Sequence, residues 1–436
     1  MRILILGCLV APYLPLSAQA GNSENPYAAA ESASVARSAL QRASAAMRQN
    51  DMATTRREVD RAASAWPMQI YYPATRARLA ARAGDTSVVL DALTTIANLG
   101  LGLDLRADTS YSRYRQLPAF RELETRHDAN TKPVVKSTVF ATLSDSTLWP
   151  EGIDVDRRTG RLYVGSVRHR TIVERSADGS ERELLARNAP GVGAILGIHV
   201  DAEHGVVWAT TAGIPQMEAY TPADSVIAAL LRVRISDGVI EKRWSLPAAA
   251  RGHTLGDVTM GPDGTVYMTD SMDPSFYRLR PGEDALEHFT SPLFNSLQGM
   301  APTPDGAAVY LADYSIGLLR FDVKTGAISR LADAPASTSL GCDGIAWHRG
   351  AIIAVQNGVA PARIMRFVLD ATGTRITRSE LLDRNSAVAD EPTIGTIIGS
   401  SFVYVANSQW EKHDDAGNRK PSIPLTRPVL LSTPLP

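Results

Sequence analysis

One unit recurs along this chain and limits what it can fold into: a short strand, a tight turn and a second short strand. Its first copy is Trp149-Pro150-Glu151-Gly152-Ile153-Asp154-Val155-Asp156, followed by Thr159-Gly160-Arg161-Leu162-Tyr163-Val164. Ile153 and Val155 alternate onto one face, and Leu162 and Val164 repeat the pattern after a turn made by Asp156 to Gly160. The unit returns at Leu196-Gly197-Ile198, at Asp257-Val258-Thr259, at Gln298-Gly299-Met300, at Asp343-Gly344-Ile345 and, least regularly, at Thr396-Ile397-Ile398. Each return leads through a turn, such as Pro262-Asp263-Gly264 or Pro304-Asp305-Gly306, into a second apolar strand.

The spacing names the architecture. Residues 151 and 196 lie 45 apart, and so do residues 298 and 343. Repeats of about 40–50 residues that hold several short strands are the mark of propeller blades, so six copies predict an all-β six-bladed β-propeller. The innermost strand of each blade lines a central channel, and its first residues face one mouth. Glu151, Asp257, Gln298 and Asp343 are therefore the residues of interest. A strand between Val134 and Leu143 is expected to pair with the run from Pro428 to Leu431, closing the ring and removing an exposed edge. Insertions at Pro215 to Ile227 and at Glu411 to Arg419 are expected on a propeller face, shaping a mouth or simply solvated.

Ahead of the repeats the pattern changes. Residues from about Tyr27 to His127 are rich in Ala, Arg and Leu, and Ala36, Leu40, Ala43 and Met47 fall at helical spacing. Breaks at Asn50-Asp51 and Gly84-Asp85 stand 34 residues apart (50 to 84), the period of a tetratricopeptide-type helix pair. A small all-α, TPR-like domain is expected, packed on the propeller or binding a protein partner. Asp128 to Pro133 reads as a polar linker. Met1 to Ala20 has the layout of a secretory signal, with Arg2, an apolar core from Ile3 to Val10 and Ala18-Gln19-Ala20 as cleavage site. The expected organisation is thus a signal at 1–20, a helical domain at 21–130 and a propeller at 131–436, working in the periplasm or secreted. A lipoprotein reading at Cys8 is the lesser alternative. If Cys8 leaves with the signal, Cys342 stands alone and no internal disulfide forms. A net charge of −1 gives no electrostatic footprint for nucleic acid or an anionic membrane.

From Val134 onward the repeats resemble the senescence-marker-protein/gluconolactonase family, six-bladed propellers related to the paraoxonases. Trp149-Pro150-Glu151-Gly152 matches the family's first-blade Glu, and Asp343-Gly344 matches its Asp-Gly. Gln298-Gly299-Met300 with Pro304-Asp305-Gly306 stands where the family has Asn-Gly, so the Asn is a Gln. Gly256-Asp257 stands where it has Asn-Asp and keeps only the Asp. The resemblance implies a divalent cation, Ca2+ in the first instance, held by Glu151, Gln298 and Asp343, with Asp343 also as the base for lactone hydrolysis. Asp257 is the residue that would compensate for the missing Asn.

The chemistry of the residues agrees in part. Calcium takes six to eight oxygen ligands, and these side chains offer carboxylate and amide oxygens. A bound metal polarises an ester carbonyl, and Asp343 or Asp257 would accept the proton of the attacking water. His253, just before the third copy, is the candidate auxiliary acid or base. Trp149 and Phe294 are candidates to line an apolar pocket over the metal. The same residues have structural readings: Glu151 as a strand-end cap, Asp343 and Asp257 as turn formers, Gln298 as filler. Asp270 and Asp313 read as turn residues, His199 as structural and Cys342 as a small buried hydrophobe. No GxSxG elbow, HExxH or P-loop is present in the sequence. The expected activity is exported, metal-dependent hydrolysis of a lactone or related ester. The alternatives are a non-catalytic binding or scaffold protein and a sensor of a sugar or other small ligand.

Overall fold

The computed structural model describes residues 25–250 and 252–436. The proposed signal and Cys8 lie outside the described residues. The chain is a six-bladed β-propeller behind a small helical region, as the spacing predicts.

Each blade is a four-stranded antiparallel sheet. The innermost strands of blades 1 to 6 are Pro150–Val155, Ala194–Asp201, Leu255–Met260, Leu297–Pro302, Cys342–His348 and Gly395–Ile398. They touch one another in cyclic order, the first against the sixth. Closure is as expected: Thr138–Thr142 pairs with Val429–Pro434 as the outer strand of blade 6, with Val139 opposite Leu431. The core lies between blades, where facing sheets bury interdigitating Val, Leu, Ile and aromatic side chains.

Five inner strands share one irregularity. In blade 1, Pro150 faces Ser166 and Ile153 faces Val164, so Glu151 and Gly152 together oppose one residue. The same two-against-one bulge falls at Leu196-Gly197, Gly256-Asp257, Gln298-Gly299 and Asp343-Gly344. Bulges of this kind re-aim side chains beside functional sites. The orphaned bulge N–H groups of blades 2 and 3 are met by Thr210 Oγ1, 2.8 Å from Gly197 N, and Thr269 Oγ1, 3.1 Å from Asp257 N.

The helices are α1 (Ala28–Arg48), α2 (Met52–Ala65), α3 (Tyr71–Ala83), α4 (Thr86–Asn98) and α5 (Pro118–Thr131). The expected breaks are N-caps: Asp51 accepts from Thr54 N at 2.9 Å, and Asp85 from Val88 N at 3.1 Å. The stretch read as a linker from Asp128 is the last turn of α5. Its polar composition hides Phe120, Leu123 and His127, which are buried on one face. The small residues of α1 and α2 pack with Trp66 and Tyr72 against blades 3 and 4 in one continuous core. The helical region is thus docked on the propeller. No described helix is long and apolar enough to cross a membrane.

Candidate active site

The bulge decides which side chains reach the channel mouth. Glu151, Leu196, Gly256, Gln298 and Asp343 hold the same register in blades 1 to 5, and Ile394 precedes Gly395 in blade 6 as Glu151 precedes Gly152. All six line one chamber of about 280 Å³. The next position is glycine in five blades because the neighbouring backbone is there. A Cβ on Gly152 would stand 2.3 Å from Leu196 O, and one on Gly344 2.6 Å from Ile394 Cα.

Asp257 is the exception, and it corrects the sequence alignment. It holds the register of Gly152, one residue past Glu151, Gln298 and Asp343. Asp257 lines a second cavity of about 310 Å³ at the opposite end of the channel, which shares only Ile394 with the first. Its Oδ1 accepts from Val258 N at 2.8 Å. Burial, helped by the Asp343 and Asp154 carboxylates, pushes its carboxyl up to about 7, against the pull of the Val258 and Met300 N–H groups, and its charge in turn raises Glu151. His199 lines this same cavity, with Nδ1 3.3 Å from Asp154 Oδ2.

His253 is not brought to the chamber either. Its Nδ1 meets Asp270 and its Nε2 lies 2.8 Å from Pro247 O. Its bonds to Asp270 and Pro247 O outweigh burial and raise its pKa. Trp149 is buried beneath the mouth, its ring 4.0 Å from that of His413, and Phe294 belongs to the core shared with the helices. Neither lines the chamber. Asp313 is a turn residue as expected, accepting four backbone N–H groups. Cys342 is fully buried.

Three chamber residues escaped the sequence reading. Glu391 comes from the loop before the sixth inner strand, a carboxylate ahead of its repeat as Glu151 is ahead of the first. Asn357 follows the second strand of blade 5. It donates from Nδ2 to Asp343 Oδ2 at 2.7 Å and to Pro392 O at 2.8 Å, and accepts from Tyr314 OH at 3.0 Å. Trp410 begins the last-blade insertion and donates from Nε1 to Glu151 Oε2 at 2.7 Å. The two insertions meet above the mouth. Arg168 Nη1 lies 3.2 Å from both Gln216 O and Gly417 O, and Gln216 Nε2 donates to Asp415 O at 3.2 Å. They shape the mouth.

The chamber is acidic and uncompensated. Glu151, Asp343 and Glu391 line it, with no Lys, Arg or His among the described residues of its walls. Burial, then the Asp343 carboxylate, holds Glu151 well above the usual carboxylate range, against the Trp410 N–H. Burial pushes Asp343 up to about 6, with the Asn357 amide opposing, and Glu391 up to about 7, with Glu411 N–H opposing. After the protein's own bonds are made, Glu151 Oε1 and Asp343 Oδ1 have no donor among the described residues, while the Ser408 hydroxyl serves Glu391. Gln298 donates its Nε2 to Ser296 Oγ at 3.1 Å, which leaves its Oε1 in the same state. Three spare oxygens in a buried acidic chamber are of the kind a hard divalent cation takes. Among the described residues no three Asp, Glu, His or Cys side chains are grouped as a metal site.

No family model matches the sequence, and no curated protein matches it. Solved structures do resemble it in shape. A gluconolactonase of Xanthomonas campestris is 18% identical over 68% of this chain and 89% of its own, with a TM-score of 0.45. Regucalcin of Agrobacterium tumefaciens, a calcium-binding protein, is 17% identical over 68% of this chain and 96% of its own, with a TM-score of 0.45. Virginiamycin B lyase of Staphylococcus aureus is 18% identical over 62% of this chain and 81% of its own, with a TM-score of 0.44.

Proposed function

We propose that this chain is a divalent-metal-dependent hydrolase of a lactone or related ester, exported through its N-terminal signal and acting in the chamber that Glu151 lines. The observation that carries this reading is the set of spare oxygens on Glu151, Gln298 and Asp343, lining a chamber with no basic side chain among the described residues. Glu151, Gln298 and Asp343 would hold the metal, Ca2+ in the first instance. When bound, it would supply a Lewis acid for the ester carbonyl.

The chain's own groups do the rest. Asn357 fixes Asp343 through Oδ2 and leaves Oδ1 toward the chamber. Trp410 and the joined insertions roof the mouth and limit water. Glu391, at about 7, is matched to neutral proton transfer. It takes the proton of the water that adds to the carbonyl carbon, then returns it to the alkoxide oxygen as the ring C–O bond breaks. The product is the hydroxy acid. Asp343, at about 6, is the second group able to accept that proton.

The test is a melting-temperature series on the mature chain, chelated and then given calcium, magnesium, manganese or zinc, followed by a lactone screen. A metal-selective rise that Asp343→Asn abolishes, together with turnover, supports the reading. No shift with any metal and no turnover overturns it in favour of a non-catalytic binding protein.

A further inference from the structure

The helical region touches the propeller at loops that hold the chamber. We infer that it is a positioning element of the site, clamping the loop that carries Asn357 and, through Asn357, fixing Asp343. The functional meaning of that clamp rests on the hydrolase reading; the clamp itself does not.

Three lines of contact run from the helices to Asn357. On the first, Trp66 Nε1 donates to Ser315 O at 3.1 Å, and the neighbouring Tyr314 donates its hydroxyl to Asn357 Oδ1 at 3.0 Å. On the second, Gly102 N donates to Ala360 O at 3.1 Å, while Leu101 packs with Ile70, Ala74 and Ile96 around Val359. On the third, Gly100 O accepts from Arg363 Nη1 at 3.1 Å. Arg363 Nε donates to Gln356 Oε1 at 2.6 Å, and Gln356 Nε2 donates to Leu340 O at 2.7 Å, two residues from Cys342. Asn357 lies between Gln356 and the clamped Val359-Ala360.

The propeller leaves these loops little slack. Gly341 N donates to Tyr314 O at 2.9 Å and Gly358 N to Gly341 O at 3.0 Å, so the loops before Cys342 and after Asn357 are laced together. A Cβ on Gly358 would stand 2.6 Å from both Gly341 Cα and Tyr314 Cζ. A shift imposed by the helices at Ser315 or Val359 therefore reaches Asn357 rather than being absorbed. Asn357 is the one described donor to Asp343, and its second hydrogen goes to Pro392 O, beside Glu391. One amide thus ties the helix-clamped loop to two chamber carboxylates. Asn357 acts as a positioning residue, and the helical region acts through it.

The experiment is hydrogen–deuterium exchange on the mature chain, read over residues 355–362, beside calcium affinity by calorimetry. Trp66→Phe removes one clamp hydrogen bond, and Leu101→Ala loosens the Val359 contact. Tyr114→Phe is the control: it removes a bond to Ala81 O inside the helical region and touches no blade. The inference expects exchange over 355–362 to rise about tenfold in the two clamp variants and not in the control. It expects calcium affinity to fall about tenfold with them, and that fall to vanish in an Asn357→Ala background, since coupled residues are non-additive. Unchanged exchange overturns the clamp. Faster exchange with unaltered affinity, or an affinity loss that persists without Asn357, overturns the route through it. If the parent chain binds no metal and turns over no lactone, the hydrolase reading falls, and the exchange comparison alone decides the clamp.

Discussion

Trp410 Nε1 donates to Glu151 Oε2 at 2.7 Å, joining the last blade's insertion to the first blade's inner strand across 259 residues of chain. The bond does two things at once. It occupies one Glu151 oxygen and leaves the other for the chamber, and it draws the roof onto the mouth. Trp410→Phe keeps most of the roof and removes the donor. A hydrogen bond to a charged group contributes about 1.5–3 kcal/mol, so calcium affinity is expected to fall at least about tenfold. Calorimetric titration checks this. Unchanged affinity would show that Glu151 does not bind the metal.

Asp343→Asn keeps the shape of the site and removes one charge. Metal-induced stabilisation is about 2.7 kcal/mol at a hundred times the dissociation constant. The parent chain should gain that in calcium and the variant should lose most of it. The midpoint of thermal unfolding with and without chelator is the measurement. A variant that keeps the full gain would remove Asp343 from the ligand set.

The raised carboxyls set a pH dependence with a definite sign. Asp343 at about 6, and Glu391 and Asp257 at about 7, bind protons more tightly folded than unfolded, where carboxylates titrate near about 4. Their contribution to stability is fully present below the unfolded value and is lost as pH rises through the folded values. His253, also raised, runs in the same direction at higher pH. The metal requires the ionised carboxylates, so its binding releases protons. The melting gap between calcium-loaded and chelated protein should therefore widen from about pH 5 to about pH 8. A gap that narrows over that range would contradict the assignment of Asp343 to the metal.

The sequence carried the propeller because every blade repeats one strand pattern, and it carried Glu151, Gln298 and Asp343 because they stand at one register. It misplaced Asp257 because blade 3 has its glycine one position early, at Gly256, and only the strand pairing shows the slip. Glu391 and Trp410 sit on loops whose path is set by packing against other blades, which spacing does not encode. Asn357 follows a second strand, outside the first-strand positions on which the repeat argument rests. His253 lay near the right motif, but its imidazole is taken by Asp270 and Pro247 O.

The glycine at the bulge is a packing requirement between blades. Gly152→Ala would place a Cβ 2.3 Å from Leu196 O, which belongs to backbone and cannot move aside cheaply. Overpacking of this kind costs about 1–3 kcal/mol, so the denaturation midpoint should fall accordingly. Gly160→Ala is the informative comparison, since nothing lies within 4 Å of a Cβ there and only its φ of +72° opposes the change. Equal losses would mean that backbone strain, not the inter-blade contact, fixes the glycine.

Asp257 separates the geometry from the sequence alignment most directly. Sequence spacing makes it a base or a metal ligand, whereas strand register turns it toward the opposite cavity with His199. Asp257→Asn retains Oδ1 as an acceptor for Val258 N and so preserves its local bond. Turnover is expected to stay within about threefold of the parent, under about 0.7 kcal/mol of barrier, where loss of a proton-transferring group costs far more. Calcium affinity should hold as well. A collapse of turnover with stability retained would return Asp257 to the reaction and would require the channel to connect its two ends during catalysis.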